Sequence, residues 1–495
     1  MATTTVLELS ELSERYNAPV RTTSKTSHAG YNTSPIGSGY ATPPPQIEAA
    51  TIVLTGQPEF SLPPTDRGKS AWMFLVASFL IEAVVWGNES IFRCFRFPFS
   101  FGLFQDYYQT HEPFAGSSGI ATIGTCAIGV SYMGFPIVVL LQRLYPRATR
   151  YGPIAGLLVM SLSLVASSFA TTVPQLIVTQ GIFYAIAACT CYCPCMLYLD
   201  EWFVSRRGLA FGIVWSGTGT GGFLIPLLLE FLLGKYGFRT ALRIWAVTLL
   251  IVTMPLIYFV RPRLPISSST HAKPYKLTFL LDKTFLFYQF ASMAESIGFF
   301  LPAVYLPTYA RSFLGAGHFL AALTVMLINV SAVIGMIVMG SLTDKFRIST
   351  CLMISTFGAT LATFLLWGLA SNLATLYAFC ILYGLFASSY VSIWPAMTRD
   401  IISSALSVDE SAAGENRAAS YDPIMILGVM TAGRGLSNVV SGPLSEALIK
   451  NLSWKDEAAS AWGSGYGPLI VFTGVTAVLG GATVVCKRLG WMDRY

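Results

Sequence analysis

Between about residue 70 and residue 487 the chain returns twelve times to an apolar run, each closed by a short polar or basic segment. Each run is roughly 20 residues long, the length of helix that crosses the hydrocarbon core of a bilayer. In that medium every backbone polar group must be satisfied within the segment, so such runs become helices. They lie near 70–92, 118–141, 152–170, 173–198, 207–233, 241–260, 285–310, 319–342, 350–370, 373–395, 423–448 and 466–487. Only 11% of the 495 residues are charged, against roughly 25% in a soluble domain. The expected fold is an all-α membrane protein with twelve transmembrane helices.

Residues 1–67 are polar and rich in Ser, Thr and Pro. They lack the apolar surface that would offset the entropy of ordering, and read as a disordered cytoplasmic tail. The basic stretch 261–284 then divides the rest into 68–260 and 285–495, six runs each, the latter ending in a short cytoplasmic tail. Equal halves fit two six-helix bundles related by an axis along the membrane normal. Basic residues collect on one side, among them Arg143, Arg147, Arg150, Arg206, Arg207, Arg261, Arg263, Lys345, Arg347 and Lys487. That side is cytoplasmic by the positive-inside rule, which puts both termini inside, with the cell membrane as the expected location.

Charges at membrane depth are costly and therefore informative, since they face a bundle interior or a cavity. Glu82 falls mid-way along the first run, Glu295 mid-way along the seventh, and Arg434 inside the eleventh. The functional expectation is that Arg434 holds an anionic substrate group while Glu82 or Glu295 titrates. The competing reading is a buried Arg434–Glu295 pair that only fixes packing. Tyr305 and Tyr309 flank Pro307 in the seventh run, and Pro302 precedes them. Proline removes a backbone hydrogen bond and frees carbonyls that can line a cavity, so the two tyrosines join the candidate contacts. At the end of the eighth run, Asp344 precedes Lys345 and Arg347. An aspartate there can bind a neighbouring helix N-terminus, where the dipole is positive. Arg206 and Arg207, which open the glycine-studded fifth run, are expected partners of a gate.

Three patterns fail on context. Cys189, Cys191, Cys193 and Cys195 alternate, but residues two apart on a helix point to different faces and cannot converge on a metal. Gly217, Gly219 and Gly222 spell a dinucleotide fingerprint inside an apolar run with no preceding strand. The triplet from Asn451 is a weak glycosylation signal. No phosphate-binding loop or hydrolytic centre is visible, so no ATP drive, enzyme activity, metal or cofactor is expected. The net charge of +6 is spread over loops rather than gathered on a nucleic-acid face.

The run GSLTDKFR at 340–347 resembles the loop signature of the major facilitator superfamily; the first-half counterpart QRLYPRATR at 142–150 lacks its acidic residue. WFVSRRGLAFGIVWSGTGTGG at 202–222 resembles the signature between helices four and five of its monocarboxylate porter family. TDRGKSA with Trp72, FPFSFGLFQDYY, GFFLPAVYLPTYAR and AGRGLSNVVSGP extend the likeness, in the fungal branch, over residues 66–487. The resemblance implies the major facilitator fold and secondary transport by alternating access, with a small organic acid or metabolite, the lipid bilayer and protons as partners. Fungal members include acid carriers and efflux proteins for secondary metabolites, and efflux is favoured. Proton-linked monocarboxylate uptake and a non-transporting sensor are the alternatives. The animal proton symporters that it resembles carry a lysine where Phe99 stands here, and an Asp and an Arg in helix eight. Residues 319–340 hold no charge. Residues 88–96, NESIFRCFR, interrupt the family pattern and are expected to end or break the first helix.

Overall fold

The computed structural model describes residues 62–86, 107–108, 111–115, 117, 119–264, 277–408, 421–449, 454–455 and 460–492, leaving out the side chains of residues 121, 125 and 226. Most of the tail, residues 88–96, Phe99, most of the central loop and Asn451 lie outside the described residues. Every regular element among those described is helical. In chain order they are α1 (Lys69–Val85), α2 (Ile120–Leu144), α3 (Gly152–Ser167), α4 (Val173–Trp202), α5 (Arg207–Ile257), α6 (Lys283–Ser312), α7 (His318–Thr343), α8 (Ile348–Trp367), α9 (Leu373–Leu406), α10 (Pro423–Ile449) and α11 (Gly467–Arg488). Nine helices among the described residues are long and apolar enough to cross a membrane; α1 and α3 are apolar but shorter. Their outward faces carry bare apolar side chains such as Leu162, Ile251 and Phe357, each about two-thirds exposed. Only a lipid solvent makes such a surface stable.

Breaks in the helices follow from the residues at them. The 51-residue α5 is two helical arms meeting at Gly237, whose φ of 72° and ψ of 170° suit only a residue without Cβ. In α6 the helix stops at Phe300, with Pro302 at the start of the next segment. A proline has no N–H to continue the ladder, which explains the interruption. In α9, residues 388–393 tighten into a 3-10 turn.

Small residues set how closely helices approach, as expected where lipid gives no apolar drive to associate. At Gly208, a Cβ would run into Thr343, Gly340 and Asp344; at Gly212 it would meet the Met336 carbonyl at 2.5 Å. So α5 lies with its backbone against that of α7. Gly435 of α10 accepts the Tyr132 ring of α2, and Gly428 lies against Pro136. These two pairs join helices from the first and second parts of the chain. The cysteine run has the same use. Gly156 of α3 faces the backbone of Ala187 and Cys191, and the small buried thiols of α4 permit that approach. Gly212→Val should lower the midpoint of thermal unfolding in detergent, corresponding to about 1–3 kcal/mol of overpacking. Gly234→Val, where nothing lies within 4 Å, should leave it unchanged.

Candidate functional site

Between the two joined helix pairs lies a cavity of about 160 Å³. Its wall draws on α1, α2, α4 and α5 from the first part of the chain and on α6, α7, α9 and α10 from the second. Aromatic rings dominate it: Trp86, Tyr132, Tyr192, Trp215, Phe299, Phe300, Tyr383 and Trp394. Trp215 and Trp394 meet edge to face across it, with centroids 6.2 Å apart. Glu82, Thr218, Asn329, Ser388, Thr431 and Arg434 supply the polar positions. Such a wall, apolar with few polar groups, is the usual composition of a small-molecule site.

Arg434 is 3% exposed and Glu295 5%. Arg434 Nη1 donates to Glu295 Oε2 at 2.9 Å and to Ser296 Oγ at 3.0 Å. Its guanidinium carbon also lies 4.7 Å from the Phe299 ring centroid and 5.8 Å from that of Trp394. The cation is thus held by a carboxylate on one side and aromatic faces on the other, a geometry the planar guanidinium suits. Arg434 faces the cavity, while Glu295 sits behind it against a second, smaller void. Glu82 reaches the cavity from α1 beside Tyr192. The structure therefore places Arg434 and Glu82 on the wall of one hollow, with Glu295 behind Arg434. It does not bring Tyr305 or Tyr309 there. The Tyr305 hydroxyl donates to Ser445 Oγ at 3.0 Å and that of Tyr309 to the Ala370 carbonyl at 2.8 Å, both within a separate apolar cluster. Bulk and burial, more than cavity lining, explain those tyrosines.

At the basic end, Asp344 accepts the backbone N–H groups of Gly208 at 2.7 Å and Leu209 at 2.9 Å. It therefore occupies the positive N-terminus of α5. The expected contact of Asp344 with a helix N-terminus is thus made by backbone N–H groups, and the Arg206 and Arg207 side chains go elsewhere. Arg207 is ion-paired to Asp200: its Nη2 donates to Oδ2 at 2.9 Å, and its Nε lies 2.7 Å from Oδ1. Arg206 is exposed and offers its backbone N–H to Asp66 at 2.8 Å. Lys345 and Arg347 are exposed. Sequence reasoning missed two groups here. Asp66 accepts the N–H groups of Val204, Ser205 and Arg206. Asp422 takes Arg143 at 2.7 Å, tying the start of α10 to the end of α2. An Asp directly before Pro423 is a helix-start signal that marked Asp422.

A chamber of this kind inside long apolar helices defines a multi-pass membrane protein that handles a small molecule. The family model for the Major Facilitator Superfamily matches residues 79–421. The chain is 26% identical over 437 residues to the MFS transporter asaE of Aspergillus flavus, covering 86% of this chain and 88% of that one. It is 24% identical over 444 residues to the Fujikurins efflux protein of Gibberella fujikuroi, covering 87% and 85%. It is 27% identical over 381 residues to Monocarboxylate transporter 12-B of Danio rerio, covering 69% and 76%. The chain belongs to the major facilitator superfamily, and it is a transporter.

Two outcomes follow from this geometry. Removing one member of a buried ion pair strands the other, so Arg434→Ala should cost about 3–5 kcal/mol of stability. Adding Glu295→Gln to it should return much of that loss, as read from detergent melts in a double-mutant cycle. At Asp66, burial raises the carboxyl pKa, but the three backbone N–H donors outweigh it and hold the group below its ordinary value. A depressed pKa contributes stability above the unfolded value, and that contribution disappears as pH falls through the folded one. Asp66→Asn should therefore be less stable by about 1–2 kcal/mol near pH 7. The gap to wild type should narrow as pH falls below the ordinary aspartate value of about 3.9 and close only below the folded one.

Proposed function

We propose that this protein is a secondary carrier that moves a small organic acid across the cell membrane by alternating access, and that its direction is export. The observation that carries this reading is Arg434, a buried cation on the wall of a cavity shared by helices from both parts of the chain. In the resting state its partner is Glu295. A substrate carboxylate competes for the same guanidinium, and it does so once Glu295 is protonated and the pair opens. Aromatic faces then receive the rest of the substrate. Two relatives in the superfamily, of Gibberella fujikuroi and Emericella nidulans, are named efflux proteins, which supports export.

Twelve spans are the reading that accounts for the helices. The long apolar set includes α5, whose two arms each make a crossing, and α1 and α3 complete the number. On this reading two six-helix bundles pack through α5 on α7 and α2 on α10, with both termini cytoplasmic. The Asp344 and Arg143–Asp422 contacts then close the cytoplasmic side. Opening toward the cytoplasm requires the N-terminus of α5 to leave Asp344.

Uptake of a panel of labelled organic acids into proteoliposomes, with an imposed proton gradient, tests the reading. Arg434→Lys keeps the charge but loses the planar fork. It should cut transport on the order of tenfold, equivalent to about 1.4 kcal/mol, while the melting temperature stays near wild type. Equal transport by wild type and Arg434→Lys, or no acid transported by wild type under either gradient, would refute it.

A further inference from the structure

Polar groups run from Glu295 to the basic end of the molecule through α6, α9 and α11. On α6, Tyr288, Ser292 and Glu295 stand at i, i+4 and i+7, one face of the helix. On α11, Gly480, Thr483 and Lys487 stand at i, i+3 and i+7. From α9 come Tyr390 and the buried Asp400. At the outer end of this file, Asp400 Oδ2 accepts the Tyr288 hydroxyl at 2.6 Å and is ion-paired to Lys487. At the inner end, Gly480 has no side chain, so Glu295 and Tyr390 lie together against α11. A Cβ on Gly480 would be 3.0 Å from Glu295 Cβ and 3.4 Å from the Tyr390 ring. The Tyr390 hydroxyl donates to the Gly480 carbonyl at 3.3 Å.

Between these ends the hydroxyls of Ser292 and Thr483 are buried and have no hydrogen-bond partner among the described residues. An unpartnered buried hydroxyl is costly, and water is its usual remedy where the site is polar. Glu295 and Tyr390 also border a void of about 10 Å³ shared with the hydroxyl-bearing Ser355, Thr356 and Thr473, close to the space of one water. A file of this kind has no packing reason to exist in an apolar bundle, where each polar group carries a cost.

We propose that this file is a proton path joining Asp400, at the basic end, to Glu295 beside the central cavity. It rests on the carrier reading of that cavity and adds the route by which Glu295 is loaded. A proton from bulk water forms an O–H bond on Asp400 and breaks its ion pair with Lys487. Each hydroxyl or water along the file then gives a proton to the next as it receives one. The last O–H bond forms on Glu295, and its bond to Arg434 breaks. One proton moves, every relay group is restored, and no oxidation is involved. The charged and titratable groups facing the two ends are Arg434 of α10 with Tyr383 and Tyr390 of α9 at Glu295, and Tyr288 with Lys487 at Asp400. Asp282 stands one step beyond, through Ser404.

The test uses the full-length protein in proteoliposome films, read by difference infrared spectroscopy after a pH drop, with no substrate present. Its failure is thus separate from failure of the carrier reading. Wild type should show a carboxylic acid band that Glu295→Gln removes. In Tyr288→Phe and Thr483→Val the band should reach its full amplitude but appear about a hundredfold more slowly, the scale of a lost positioned proton transfer. Asp400→Asn disturbs the Lys487 pair and can misfold, so the shape-conserving Thr483→Val decides in its place. Wild-type rates in both Tyr288→Phe and Thr483→Val overturn the proposal, as does the lack of any band assignable to Glu295.

Discussion

The positive N-terminal end of α5 is the point on which the basic end of the molecule is assembled. The first N–H groups of a helix have no partner within it; here one aspartate accepts two of them and a second accepts those of the turn leading into the helix. Asp66, from the segment before α1, takes the N–H groups of residues 204–206. Asp344, from the end of α7, takes those of Gly208 and Leu209. The neighbouring turn is tied down in the same way. Glu201 accepts the N–H groups of Arg263 and Leu264, and Trp202 donates its indole N–H to the Arg261 carbonyl. Asp344 can sit where it does because Gly208 and Gly340 let α5 and α7 touch. Bonds from a carboxylate to backbone donors are charge-assisted and stronger than neutral ones.

The central cavity is arranged on a different principle. Its wall is mostly aromatic, and its one guanidinium is neutralised by a carboxylate behind it. Glu82 is the other charge-bearing side chain on that wall. On the proposed scheme, loading a proton on Glu295 would expose the Arg434 cation to whatever occupies the hollow. Binding of an acid and uptake of a proton are coupled on this scheme because both act on the one Arg434–Glu295 contact.

Much of this was legible in the chain before any tertiary information. Charged residues within long apolar runs are rare, so Glu82, Glu295 and Arg434 stood out; Glu82 and Arg434 line the hollow and Glu295 pairs with Arg434 from behind it. The neighbourhood of Asp344 with the start of α5 was also legible, from a charge at one helix end and a dipole at another. The partner groups were not. Spacing did not show that Arg207 is taken by Asp200. Tyr305 and Tyr309 were drawn in by nearby prolines, yet their hydroxyls face Ser445 and Ala370 in an apolar cluster. Tyrosine carries too little periodic signal to say which face of a helix it occupies. Asp66 sits in a short polar stretch where a charge is ordinary, and the Asp–Pro signal at Asp422 marks a helix start without naming Arg143 as its partner.

By itself the sequence determined the medium and the element type. Long apolar runs must be in lipid, and in lipid a backbone must form helices. It also determined which few polar groups had to face inward, because each is too costly elsewhere. Only the tertiary structure decided which of those groups meet. Contacts such as Glu295 with Arg434, or Asp344 with Gly208, join residues more than a hundred positions apart. They depend on which helices lie side by side, and that is set by glycines fitting against particular backbones rather than by any local pattern.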